Sequence, residues 1–474
     1  MDVPDHARRR RGSATAIGTS SVLVVAIVAA LGSFAPRAAR ANGAFPDSQS
    51  ILTPSARPNE ISLVTNFGLV ASRDGGHTWL WSCEQDANTL GYLYQYNAAP
   101  QNRLLAVANE KLVFTDDATC GWTAAQGLVT GLGVTDFFPD PSDPNRVLAL
   151  AFDYSSSTYA VLQSTDAGNT FTSRLYTSDA KATMSGIEIA RTDPKTIYVT
   201  LTAPTTNAPT LGHSNDAGAT WKFTDLTPVL GTGTPSIIAV DPTNAGTVLL
   251  LFKGTSKQSL ALTRDGGQTV TLSMTTDGYF TSATHTGAGS ILVGGVDVST
   301  NPVLFRSTDN GVTFQTVATQ APHVRALSTR GGQIYAAADN FSDGYALGVS
   351  ADDGMTWQSV LAYDHVAAIL GCLKQACQTT CATEVSVGLW DVSICAADPP
   401  PLFDGGTTSG ADAAPGAGGS SGAAGMSGGG PPPSSSSSCA IAGGDAGGSA
   451  ASRRLWTGGV AVLLLWFSRG RRRR

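Results

Sequence analysis

Charge is scarce in this 474-residue chain: Asp, Glu, Lys and Arg together make up 14% of it. Basic residues are scarcest where a polyanion would need them. Six arginines lie in residues 1–41 and seven in 453–474, leaving seventeen basic against thirty-four acidic groups between them. That middle carries a formal charge near −17 and repels polyanions, which excludes nucleic acid as a partner and confines membrane contact to the C-terminal tail. No long helical period runs through the region, so short strands are the building material. Ser-His-Asp and metal-helix motifs are missing, and the cysteines contain no pair of C-x2-C knuckles, so neither a metal nor a cofactor is expected.

What is there is one phrase written seven times. SRDGGHTW begins at Ser72, and STDAGNTF at Ser164, SNDAGATW at Ser214, TRDGGQTV at Thr263, STDNGVTF at Ser307 and SADDGMTW at Ser350 repeat it. A worn copy, TDDATCGW from Thr115 to Trp122, fills the one wide gap. The central aspartates are Asp74, Asp117, Asp166, Asp216, Asp265, Asp309 and Asp352, spaced by 43, 49, 50, 49, 44 and 43 residues. Such periods suit one four-stranded blade per copy, in a toroid that buries its faces only when several blades stack. In each copy Asp can accept backbone N–H groups while Gly takes a positive φ, which is the chemistry of a hairpin turn. Trp79, Trp122, Phe171, Trp221, Phe314 and Trp357 then open the following strand and should pack between blades.

The phrase resembles the Asp-box, or BNR, repeat of sialidases, sortilin-type receptors, xyloglucanases and photosystem II stability factor-like propellers. The resemblance implies an all-β, seven-bladed β-propeller of four-stranded blades. It also implies that the seven aspartates sit on the outer rim as turn scaffolding, away from a central ligand site. Apolar runs fit the same grammar: Pro235–Pro242, Thr247–Phe252, Ser259–Asp265 and Gln268–Met274 read as the inner-to-outer strands of one blade. Before the first turn there is room only for Ile61–Asn66 and Gly68–Arg73, so blade one lacks an inner strand. Asp364–Leu370, left over after the last turn, is therefore expected to join the N-terminal strands and close the ring, giving a propeller over residues 61–370.

The flanks give an address. Arg8–Arg11, an apolar stretch over Ala14–Ala35 and the small-x-small Ala39-Arg40-Ala41 read as a signal peptide over residues 1–41, cut after Ala41, with an uncleaved anchor as the alternative. Residues 42–60 are a lead-in. Residues 398–438, rich in Gly, Ala, Ser and Pro, cannot build a core and make a flexible linker spanning roughly 35 Å. Residues 439–474 hold Cys439, a short apolar run at Leu455–Ser468 and five terminal arginines. This layout resembles the MYXO-CTERM sorting tail, which implies processing and lipid attachment near Cys439. A single-pass anchor is the other reading.

Cys83, Cys120, Cys372, Cys377, Cys381 and Cys395 are an even set in an exported chain and are expected as disulfides rather than zinc ligands. A Cys83–Cys120 bridge between adjacent blades is expected, with the other four pairing among themselves in a cap over residues 371–397. For chemistry, the inner strands offer Asp136, Glu188, His323, Arg325, His365, Tyr92, Tyr94, Tyr96 and Tyr279. Asp136 and Glu188, on neighbouring inner strands, are the candidate acid and base of a glycosidase, which needs two carboxyls about 5–10 Å apart. A sialidase also gathers several arginines, yet Arg73, Arg264 and Arg306 lie in the rim turns and no FRIP-type sequence occurs. The expectation is an exported, surface-anchored, non-catalytic module binding a protein or glycan on a propeller face. A glycoside hydrolase and an envelope assembly factor are the alternatives.

Overall fold

The repeated phrase folds through its own hydrogen bonds. In the turn of blade six, the Ser307 hydroxyl donates to Asp309 Oδ1 (2.7 Å), the same oxygen accepts the Thr313 N–H (2.9 Å), and the Thr313 hydroxyl closes onto Oδ2 (2.6 Å). Gly311 N–H donates back to Ser307 Oγ (2.8 Å). Asp216 and Asp352 make the same set, and Asp117 keeps a shortened version through Thr115 and Gly121. The two residues after each Asp have positive φ, which explains the glycines: Ala167 and Gly168 stand at 61° and 86°. Blade two places Thr119 at 81° in the corresponding position.

The computed structural model describes residues 46–400 apart from 55–56, 84–90, 99–102, 288 and 318–319. It is a seven-bladed β-propeller of four-stranded antiparallel blades. From inner to outer edge, blade three is Gly133–Pro139, Val147–Asp153, Thr158–Ser164 and Thr170–Thr177, and blade five is Thr234–Val240, Val248–Lys253, Gln258–Thr263 and Thr271–Thr276. Second strands such as Ile197–Thr202 are buried along their whole length because neighbouring blades cover both faces, whereas the outer Lys222–Asp225 is largely exposed. Blades meet through clusters such as Leu105, Phe114, Phe137, Leu162 and Phe171, in which Phe137 and Phe171 are fully buried. Each such ring contributes about 2–3 kcal/mol.

Ring closure differs from the expectation in one respect. The inner strand of blade one is Ser48–Leu52, from the segment read as a lead-in, and it pairs with Ile61–Thr65. The C-terminal strand does join N-terminal strands, but at the outer edge: Ala368 and Ile369 run parallel to Leu80 and Trp81. The reason is local. Tyr363–His365 forms a 3-10 turn whose Tyr363 ring is buried edge-on to Phe67, leaving only two residues to extend. Blade one then meets blade seven through side chains: Ser48 Oγ donates to Ala346 O (3.2 Å), Arg330 donates to Glu60 O (2.6 Å), and Arg325 pairs with Asp47 (2.8 Å).

The cysteine pairing is also corrected. The bridges are Cys83–Cys377, Cys120–Cys372 and Cys381–Cys395. Because Ala368–Ile369 lies along the outer strand of blade one, Cys372 and Cys377 arrive beside blades two and one, and Cys83 and Cys120 each meet a C-terminal partner instead of each other. Residues 371–397 carry the helices Gln378–Ser386 and Ser393–Ala396, with Trp390 packed on Trp81 and Phe67. No helix among the described residues is long and apolar enough to cross a membrane. The expected signal peptide with Ala41, the tail with Cys439, and nearly all of the linker lie outside the described residues.

Candidate functional site: the channel carboxyls and the connection face

Antiparallel order gives the ring two unlike ends. First-to-second strand connections and the repeat turns share one end, and the residue after the turn Asp donates to that connection in several blades: Gly75 to Asn59 O, Ala167 to Asn145 O, Ala217 to Lys195 O, Gly266 to Gly246 O and Asn310 to Gly289 O, all at 2.7–3.0 Å. Second-to-third and blade-to-blade connections lie at the other end, the connection face. The turn carboxylates are held by hydrogen bonds within the turn. The Thr hydroxyl and N–H four residues on hold Asp216, Asp309 and Asp352 down at about 2.

Asp136 and Glu188 both lie on inner strands, in blades three and four. A bulge between Val134 and Asp136 re-aims the Asp136 side chain. Its Oδ1 accepts the Phe137 N–H (2.8 Å), and its Oδ2 accepts the Ile187 N–H of the next blade (3.0 Å). Burial pushes Asp136 up to about 7, against the pull of those two bonds. Glu188, 9% exposed, is pushed up to about 8 by burial, with the Val240 N–H lowering it and the Asp136 charge raising it.

Other blades use the same geometry without a carboxylate. Ser282 Oγ accepts the Leu327 N–H (3.0 Å) across the blade six–seven seam, and Gln95 donates to Phe137 O (3.1 Å) across the blade two–three seam. Asp136 is therefore one of several polar brackets tying inner strands together. Both of its oxygens are occupied by backbone N–H groups.

The remaining inner-strand candidates do not converge. Tyr96 donates its hydroxyl to Glu60 (2.6 Å), Tyr94 is buried, Tyr279 is half-buried, and Tyr92 lies on the inner strand of blade two. His365 falls in the 3-10 turn and is exposed. His323 and Arg325 precede the inner strand Ala326–Arg330 and enter a network that sequence reasoning missed. His323 Nδ1 meets Asp343 Oδ1 at 2.8 Å, and Arg325 lies 2.8 Å from Asp47 and 3.4 Å from Asp339. Asp339 also caps the helix Asn340–Asp343 by accepting the Phe341 and Ser342 N–H groups. The spacing of Asp339 and Asp343 around a short polar run was the available signal; their convergence on residues 47 and 323–325 was not. Among the described residues no group of three His, Cys, Asp or Glu could hold a metal ion.

The connection face has a composition of its own. Leu128 (41% exposed), Tyr154 (54%), Val229 (41%), Val298 (75%) and Phe341 (43%) all stand in its loops. The large apolar side chains exposed in the repeat turns are Val312 and Met355. The five on the connection face stand in separate loops around that end, while Phe223 and Leu272 are exposed on outer strands and Val387 and Val392 in the C-terminal segment.

No family model matches the chain, and no curated protein does. Among solved structures it is similar to a GH74 xyloglucanase from Xanthomonas campestris, at 16% identity over 68% of this chain and 60% of that one, with a TM-score of 0.36. It is also similar to YCF48 bound to D1 peptide (14%, 61% and 90%, TM-score 0.41) and to an oligogalacturonate lyase in complex with manganese (12%, 61% and 86%, TM-score 0.45). The chain spans about 60% of the xyloglucanase's length. These likenesses concern the fold alone.

Proposed function

We propose that the chain is an exported, surface-anchored binding module that takes a protein or glycan ligand on the connection face and performs no catalysis there. The observation that carries this reading is the presence of exposed Leu128, Tyr154, Val229, Val298 and Phe341 in five connections of one end of the ring. That end also holds the helices Thr227–Leu230 and Asn340–Asp343 and the Arg325–Asp339 and His323–Asp343 pairs, so aromatic, cationic and anionic contacts stand together. Export and anchoring rest on the flanking segments. The test is retention of the full-length protein on an array of glycans and envelope proteins, with Tyr154→Ser and Phe341→Ser beside the wild type. Retention lost in both variants supports the reading; retention unchanged in both overturns it.

A second reading, glycoside hydrolysis through Asp136 and Glu188, is favoured by the upward displacement of both carboxyls, as a general acid requires. Occupation of both Asp136 oxygens by backbone N–H groups weighs against it. Turnover of any polysaccharide in a panel, abolished in Asp136→Asn, would establish it.

A further inference from the structure

The irregular turn of blade two coincides with a cavity at the seam between blades one and two. At other seams the second residue after the turn Asp is a glycine seated on the preceding blade. A Cβ at Gly168 would come within 2.8 Å of Leu105, at Gly218 within 2.8 Å of Leu175, and at Gly76 within 3.3 Å of Val360. Blade two has Thr119 there, hydrogen-bonded to Ser82 (2.8 Å), and the next residue, Cys120, is tied to Cys372. An open cavity remains at this seam. Leu80 and Leu104 contribute apolar wall, and Arg57, Glu60, Arg73 and Tyr96 contribute the polar part.

Two cationic side chains, Arg57 and Arg73, and two anionic ones, Glu60 and Asp116, line this cavity, but Asp116 is claimed from outside the lining. Glu60, 6% exposed, is filled by the Tyr96 hydroxyl (2.6 Å) and Arg57 (3.1 Å). Asp116 is held by a two-pronged pair with Arg103, both prongs at 2.7 Å. Among the described residues Arg73 has only Glu60, at 4.0 Å, and is 31% exposed. Arg264 occupies the same place in the repeat, and its guanidinium reaches the next blade's turn, donating to Asp309 O (2.8 Å) and Asn310 O (3.4 Å). Among the described residues Arg73 makes no corresponding bond to the turn of blade two, and it lines the cavity without a full counter-ion.

We infer that this cavity binds a small hydroxylated monocarboxylate, with the ligand carboxylate on the Arg73 fork and its hydroxyls toward Ser82 and Thr119. A guanidinium fork matches a carboxylate in two parallel bonds. One spare positive charge suits a monoanion, and Glu60 at 4.0 Å opposes a dianion such as phosphate. The site is independent of the connection face, since Arg57, Glu60, Arg73, Asp116 and Thr119 lie in the first-to-second connection and repeat turns of the opposite end.

The experiment is calorimetry and saturation-transfer NMR on the full-length protein with D-gluconate and D-glucuronate, the two sources of this chemistry, and with glucose and inorganic phosphate as controls. Saturable binding of at least one acid is expected, weakened about tenfold or more in Arg73→Gln, by the loss of one charge-assisted pair, and unchanged in Arg264→Gln. Arg73→Lys, which keeps the charge and loses the fork, is expected to fall between wild type and Arg73→Gln, and it decides the matter if the Gln variant does not fold. The inference is overturned if neither acid saturates by about 10 mM, well above a millimolar dissociation constant. It is equally overturned if Arg73→Gln binds as well as wild type, or if glucose or phosphate binds as tightly as the acids.

Discussion

Replacing Glu188 by Gln should stabilise the protein in alkali and not in acid. Glu188 is 9% exposed and is pushed up to about 8, while an unfolded Glu titrates near about 4.3. The folded state therefore holds a proton that the unfolded state releases, and stability is lost as pH rises from about 4 through about 8. At 1.36 kcal/mol per pKa unit, the loss across that window approaches about 4–5 kcal/mol. Gln keeps an oxygen to accept the Val240 N–H and carries no charge to desolvate or to repel Asp136. Urea unfolding of wild type and Glu188→Gln at pH 5, 7 and 8.5 measures the effect. The variant should match or trail the wild type at pH 5 and exceed it by a few kcal/mol at pH 8.5. A difference that stays constant across the three pH values would refute the burial argument.

Three further outcomes follow from the fold. Removing Asp309 takes away the acceptor of the Ser307 hydroxyl and of the Thr313 N–H and hydroxyl, so Asp309→Ala should lower stability by about 1–2 kcal/mol in urea titrations and leave connection-face binding intact. Carboxylates held at about 2 stabilise the fold above the ordinary carboxylate range and lose that contribution as pH falls, so circular dichroism should record acid unfolding between about pH 4 and pH 2. Non-reducing peptide mapping should recover Cys83–Cys377 and Cys120–Cys372, and Cys83→Ser/Cys377→Ser should cost about 2–5 kcal/mol, since the bridge closes a span of 294 residues; recovery of a Cys83–Cys120 peptide would contradict the staple.

The ring was legible because its signal is local and repeated. Each turn satisfies its own carboxylate within a few residues, so seven phrases, six with D-x-G and one with Asp117-Ala118-Thr119, state seven blades wherever the chain runs. Ser48–Leu52 escaped notice because SQSIL is short, half polar, and is completed as a strand by Ile61–Thr65. The disulfides escaped because their partners lie 294 and 252 residues apart, and pairing followed where Ala368–Ile369 docked. Asp136 and Glu188 could be placed on adjacent inner strands from spacing, but spacing does not reveal that a backbone N–H of the next blade and one of its own strand claim the Asp136 carboxylate. The Arg325–Asp47 pair joins residues 278 apart across the last seam, and nothing local marks it.

The assignment of the ligand surface is tested most directly by hydroxyl-radical footprinting of the full-length protein with and without a cell-envelope extract, read residue by residue. Protection is expected at Leu128, Tyr154 and Phe341, with Met355 in the repeat turn of blade seven oxidised equally in both samples. Protection of Met355 and Val312 while Tyr154 and Phe341 stay fully reactive would place the ligand at the wrong end of the ring and contradict the account.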